Sequence, residues 1–218
     1  MPKIALKEGD TDETRSEPNF RLYPNWENVF RKIPGFENCV CLRRVRTPNS
    51  KDPDFTLFTV KPEPRIGLVE CEGHKGPHDR DKSIAPIGVE QLLTYLAGWE
   101  SVAGRGQLIL DTMIKDAFLT QKRKARYQRG EHNQGQWGRF EAWLSKIGAP
   151  VTSESELVAA LSASSMNLTA ILLYYRRSSI PSEDERMVSS AFRRHRCFFG
   201  AVSWPDADRL LEGGKYVD

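Results

Sequence analysis

The stretch DPDFTLFTVKPEPRIGLVECEGHKG, Asp52–Gly76, decides how the rest of the chain reads. Phe55–Lys61 alternates with period two, placing Phe55, Leu57 and Thr59 on one face and Thr56, Phe58 and Val60 on the other, which predicts a strand. Pro62-Glu63-Pro64 then turns the chain into RIGLVECEG, a second strand built on the apolar run Ile66–Val69. Asp54 stands at the mouth of the first strand. Glu70 and Glu72 stand inside the second, on one face, with Cys71 behind them, because side chains alternate across a strand. Like charges about 7 Å apart on one sheet face repel, and covering them with a helix adds a desolvation cost. A stable chain carries such a pair if it lies at an open edge, is protonated, meets basic partners or binds a cation.

Upstream, YPNWENVFRKIPG predicts a short helix with Asn25 as its cap, Trp26, Phe30 and Ile33 at helical spacing, and Pro34-Gly35 as its stop. CVCLRRVR, Cys39–Arg46, reads as a strand closed by the turn residues of TPNSKDPD, so three strands in succession predict an antiparallel meander. Downstream of the polar loop GHKGPHDRDKS, PIGVEQLLTYLAGWES has a helical stripe through Leu92, Leu96 and Trp99. GQLILDTMI then reads as a strand returning to the sheet, which makes the helix a parallel crossover. QWGRFEAWLSKIG, TSESELVAALSASS and PSEDERMVSSAFRRHR predict helices, the second opened by Ser153 with Glu156 and the third by Ser182 with Glu185, at capping-box spacing. LTAILLYYRR reads as a buried strand and CFFGAVSW as the last strand. The class is α/β with a central mixed sheet flanked by helices.

A chain of 218 residues is expected to form one domain. We expect a flexible polar tail over 1–20 and a single domain over 21–218, with its core at about 25–115 and an α/β C-terminal elaboration at about 120–218. No apolar run approaches the ~20 residues of a membrane span, and the N-terminus lacks a signal-peptide core, so the expected address is cytoplasmic or otherwise intracellular, with no membrane partner. Cys39, Cys41, Cys71 and Cys197 form no CxxC pair and read as buried free thiols. The formal charge is +3, but the basic residues are clustered: Lys122, Arg123, Lys124, Arg126 and Arg129 in QKRKARYQRG, with smaller groups in CLRRVR and FRRHR. Such runs are commonly solvated surface; beside a carboxylate site they suggest phosphate contacts.

Carboxylates on two adjoining strands suit a hard divalent ion, Mg²⁺ above all, which binds through a few acids, water and substrate phosphate. Such an ion supplies Lewis-acid activation of water and neutralises charge on a phosphodiester leaving group. Pro53-Asp54-Phe55 followed by Glu70-Cys71-Glu72 behind Ile66–Val69 resembles the PD-(D/E)XK nuclease superfamily, and Gln91 and Tyr95, one helical turn apart in QLLTY, are similar to the Q-x-x-x-Y element of its RecB-like branch. The resemblance covers roughly 25–115, in the order helix, three strands, helix, strand. It implies a restriction-endonuclease-like core and a nuclease that hydrolyses DNA with Mg²⁺ or Mn²⁺. Asp54, Glu70 and Glu72 would be the metal ligands, and Gln91, Tyr95 and the helix acid Glu27 the supporting residues. RNA stays open as a substrate and a homodimer as an assembly.

The chain departs from the family where the motif's lysine becomes Glu72. Three readings follow. Glu72 acts as base or third ligand; Lys75, ahead of Lys82, supplies the missing cation; or the centre has decayed and the fold binds nucleic acid or a protein partner without cutting. A bland alternative turns Glu70 and Glu72 to solvent on an edge strand. Another has His74 and His78 bind zinc with Cys71 or Glu72, though the spacing fits no standard zinc motif. For nucleic-acid contacts the candidates are Arg80, Lys82, Lys122, Arg123, Lys124 and Arg126.

Overall fold

The computed structural model describes residues 29–43, 53–59, 63–72, 85–113, 154–175, 182–202 and 214–217. Strands β1 (Val40–Arg43), β2 (Phe55–Thr59) and β3 (Arg65–Glu72) form the expected antiparallel meander, with Val40 opposite Phe58 and Phe58 opposite Ile66. Ahead of it, Val29 and Phe30 are helical, and Gly35, at φ 89°, turns the chain in the left-handed region that glycine tolerates. The described helical residues end at Phe30, before the expected Pro34-Gly35 stop, and 31–35 run on as turns.

Helix α1 (Ala85–Glu100) follows, and then α2 (Gly106–Met113). Here the expectation of a strand over GQLILDTMI is wrong. Gly106, Ile109 and Leu110 are buried while Leu108 is 43% exposed, the i, i+3, i+4 pattern of a helix face. Gln107 Nε2 also donates to Asp111 Oδ1 one turn on, at 3.1 Å. A three-residue apolar run fits either structure when read alone, and what decides is α3 (Glu154–Ser165), against which α2 packs. At Gly106 a Cβ would collide with the Val158 carbonyl, and the Gly106 N–H donates to Ser162 Oγ at 2.8 Å. Only glycine permits that approach.

The crossover therefore ends much later than expected. Strand β4 (Leu168–Tyr175) lies parallel to β3, Ile66 beside Leu168 and Glu72 beside Tyr174. After α4 (Ser182–Ala191), β5 (Arg196–Val202) lies parallel to β4, so both strands appear where expected. CFFGAVSW is not the last strand, however: β6 (Lys215–Val217) adds antiparallel to β5, three residues being too few to show a period. The result is a mixed six-stranded sheet in the order β1-β2-β3-β4-β5-β6. Half of it comes from beyond residue 120.

Helices α1, α3 and α4 cover one face, packing Leu92, Leu96, Trp99, Leu157, Leu161, Val188 and Phe192 on Phe58, Ile66, Leu68, Leu172, Tyr174 and Phe199. On the other face Val29, Phe30, Ile33 and Phe36 cover Phe55, Leu57, Val69, Cys71, Ile171 and Phe198. Each such side chain contributes roughly 1.5–3 kcal/mol by leaving water. All four cysteines are free and buried, as expected. Among the described residues no helix is long and apolar enough to cross a membrane.

Candidate functional site

Strand β3 lies between β2 and β4, and all eight of its residues are buried. Its even-numbered residues face α1, so Glu70 and Glu72 follow Ile66 and Leu68 into the layer under that helix; each glutamate is 4% exposed. The alternative of solvent-facing acids on an edge strand does not hold. Both acids sit at the carboxyl end of β3, beside the carboxyl end of the parallel β4, the end of an α/β sheet where ligands bind.

Asp54 immediately precedes β2. Because Phe55 pairs with Val69, the register continued by one residue brings Asp54 opposite Glu70. Its Oδ2 accepts a hydrogen bond from the Cys71 backbone N–H at 2.9 Å. One carboxylate is therefore tied to the main chain between the other two. The charges register on the Cys71 thiol, whose pKa is raised first by burial and then by Asp54, Glu70, Cys41 and Glu72.

Helix α1 passes directly over Glu72. A Cβ at Gly88 would stand 2.9 Å from Glu72 Cγ, 3.2 Å from its Oε1 and 2.6 Å from Leu172 Cδ1. Glycine at 88 thus lets the helix settle onto the glutamate. One turn along, Gln91 is half-buried and its Oε1 is a buried acceptor with no hydrogen-bond donor; Tyr95 is buried. Next to Glu72 on the same face, Tyr174 is fully buried and donates its hydroxyl proton to Asp184 Oδ2 at 2.7 Å. Asp184, in the first turn of α4, is 1% exposed. The sequence analysis missed this pair, because Ser182-Glu183-Asp184-Glu185 reads as the solvated acidic start of a helix. The available signal was Tyr174 in a strand of otherwise apolar residues: a buried tyrosine needs a partner for its hydroxyl.

Glu70, Glu72, Gln91 and Tyr95 lie on the α1 side of the sheet at β3, and Asp54 stands just ahead of β2, bound to the Cys71 main chain. Glu27, Lys75, Arg80, Lys82, Lys122, Arg123, Lys124 and Arg126 lie outside the described residues, as do His74 and His78. Among the described residues no three of His, Cys, Asp and Glu stand together as a preformed metal-binding group. The donor chemistry nevertheless fits a hard divalent ion: Asp54, Glu70, Glu72 and Gln91 Oε1 all offer oxygens, and Gln91 Oε1 is buried without a donor. Softer metals would call for sulfur or imidazole, and the Cys71 side chain lies on the opposite face. No protein-family model, no curated protein and no solved structure matches this chain.

Proposed function

We propose that the chain is a divalent-metal-dependent nuclease that hydrolyses DNA phosphodiester bonds, with a restriction-endonuclease-like core. The observation that carries this reading is the buried pair Glu70 and Glu72 on an interior strand, with Asp54 Oδ2 held by the Cys71 N–H that lies between them in the chain. Part of the element order supports it: the antiparallel meander and the covering helix α1 follow the order that the resemblance implies, whereas the strand parallel to β3 comes only after α2 and α3, outside the stretch that the resemblance covers.

Asp54, Glu70 and Glu72 would hold Mg²⁺ or Mn²⁺, which supplies Lewis-acid activation of water and charge neutralisation on the leaving oxygen. The chain's own residues do the rest. The Cys71 N–H fixes one Asp54 oxygen. Gly88 lets α1 shield Glu72 from bulk water, which leaves Glu72 placed to act as the third ligand or as the base toward an attacking water. Gln91, on the face of α1 turned to the sheet, offers an oxygen to a water or sugar hydroxyl.

The second reading is a decayed centre that binds nucleic acid or a protein partner without cutting. It is favoured by Glu72 standing in place of the lysine and by the absence of a preformed metal-binding group among the described residues. One assay separates the two: plasmid and single-stranded DNA incubated with protein in Mg²⁺, in Mn²⁺ and in chelator, alongside Asp54→Ala and Glu70→Ala. Metal-dependent cutting that both variants lose supports the enzyme. Retarded migration without cutting supports the binder, and no affinity for DNA or RNA sinks the nucleic-acid reading altogether.

A further inference from the structure

Helix α4 presents two unlike faces. Asp184, Val188 and Phe192 are buried under it, while Arg186, Ser190 and Arg193 are exposed and Ser189 is half-buried. The outer residues recur at one-turn spacing, and together with Glu185 they line an open groove of about 260 Å³. Glu185 is the acid on its wall, and its Oε1 is matched by Lys215 Nζ at 2.6 Å. Arg186 Nε donates to the Ser182 carbonyl at 3.4 Å, which lays its stem along the helix. Among the described residues no acid pairs with Arg186 or Arg193.

We propose that this groove seats the phosphate backbone of a nucleic-acid strand. Arg186 lies on α4 and Arg193 two residues past its end, so the two stand about two helical turns apart along the groove. The two guanidinium groups therefore suit neighbouring phosphates of one strand, with the hydroxyls of Ser189 and Ser190 between them as donors. Paired fork-shaped cations with interleaved hydroxyls suit tetrahedral oxyanions and contribute position without reading sequence. The location agrees. Tyr174 pins the first turn of α4 beside Glu72, so the groove leads away from the end of the sheet where the acids stand. The inference rests on the reading of this chain as a DNA-handling protein, whether or not it cuts.

The test uses the full chain and a labelled duplex oligonucleotide, with binding followed by fluorescence anisotropy in chelator between about 50 and about 200 mM salt. Arg186→Gln with Arg193→Gln should weaken binding about tenfold and lower the slope of log affinity against log salt by about 2. Arg186→Lys with Arg193→Lys should restore the slope. Lys32→Gln with Arg105→Gln, two charges removed from exposed positions elsewhere, should leave it unchanged, and melting curves of all the variants control for folding. An unaltered slope in the Gln pair while the wild type binds DNA overturns the groove and leaves the DNA-handling reading standing. An equal loss from the Lys32 and Arg105 pair overturns it as well. A wild type with no affinity for DNA overturns the broader reading and the groove with it.

Discussion

Glu70 occupies a position where aliphatic residues usually sit, on an interior strand beneath a helix, and Asp54 and Glu72 flank it. Glu70 and Glu72 share one buried face of β3, and the cost of burying that pair should be visible in solution. Glu70→Gln keeps the shape and removes a charge, so we expect the variant to melt at or above the wild-type temperature in chelator. Mn²⁺ should raise the wild-type melting temperature by mass action and leave that of the variant unmoved; equal Mn²⁺ shifts would remove Glu70 from the site. Tyr174→Phe has the opposite sign. The ring keeps its edge-on packing against Phe199, with centroids 5.1 Å apart, but buried Asp184 loses a donor. A cost of about 1–3 kcal/mol is expected in urea unfolding. The placement of Glu70 and Glu72 was legible, because strand alternation fixes which side chains share a face. Their burial was not, since it depends on β4, a strand far off in sequence.

Among elements, α1 and α2 each rely on a glycine at a contact point. Gly88→Ala gains about 1 kcal/mol of helix propensity, but the added methyl overlaps Leu172 and Glu72, which costs about 1–3 kcal/mol. The flexible glutamate will move first. We therefore expect little change in stability and a several-fold weaker response to Mn²⁺, measured by titration calorimetry. Gly106→Ala meets the Val158 carbonyl, which is main chain and has nowhere to go, so the expected loss in urea unfolding exceeds that at Gly88. The meander, α1, α3, α4, β4 and β5 were readable because each is long enough to show its period or bears turn and cap residues. Helix α2 was not. Its apolar core of Leu108, Ile109 and Leu110 fits either structure, and the choice falls to Val158 and Ser162 on another helix. Strand β6 was hidden by its length.

For the whole molecule, two buried thiols, Cys71 and Cys197, set an alkaline limit. Burial and the neighbouring acids raise the Cys71 pKa above its ordinary value of 9.0, and burial raises that of Cys197 as well. The folded state then holds protons that the unfolded chain releases. The sign follows: stability is fully present below pH ~9 and falls as pH rises beyond it. Urea midpoints taken from pH 7 to 10 should be level at first and then decline, and replacing Cys197 with Ser should shorten the decline. The sheet has a second consequence for the molecule as it is made. Strand β3 carries the acids early in the chain, yet the strand that flanks and buries them, β4, is translated only after Asn167. On the ribosome the growing polypeptide therefore carries Glu70 and Glu72 beside an open β-edge for nearly half of synthesis, and whatever those acids do begins only when the last quarter emerges.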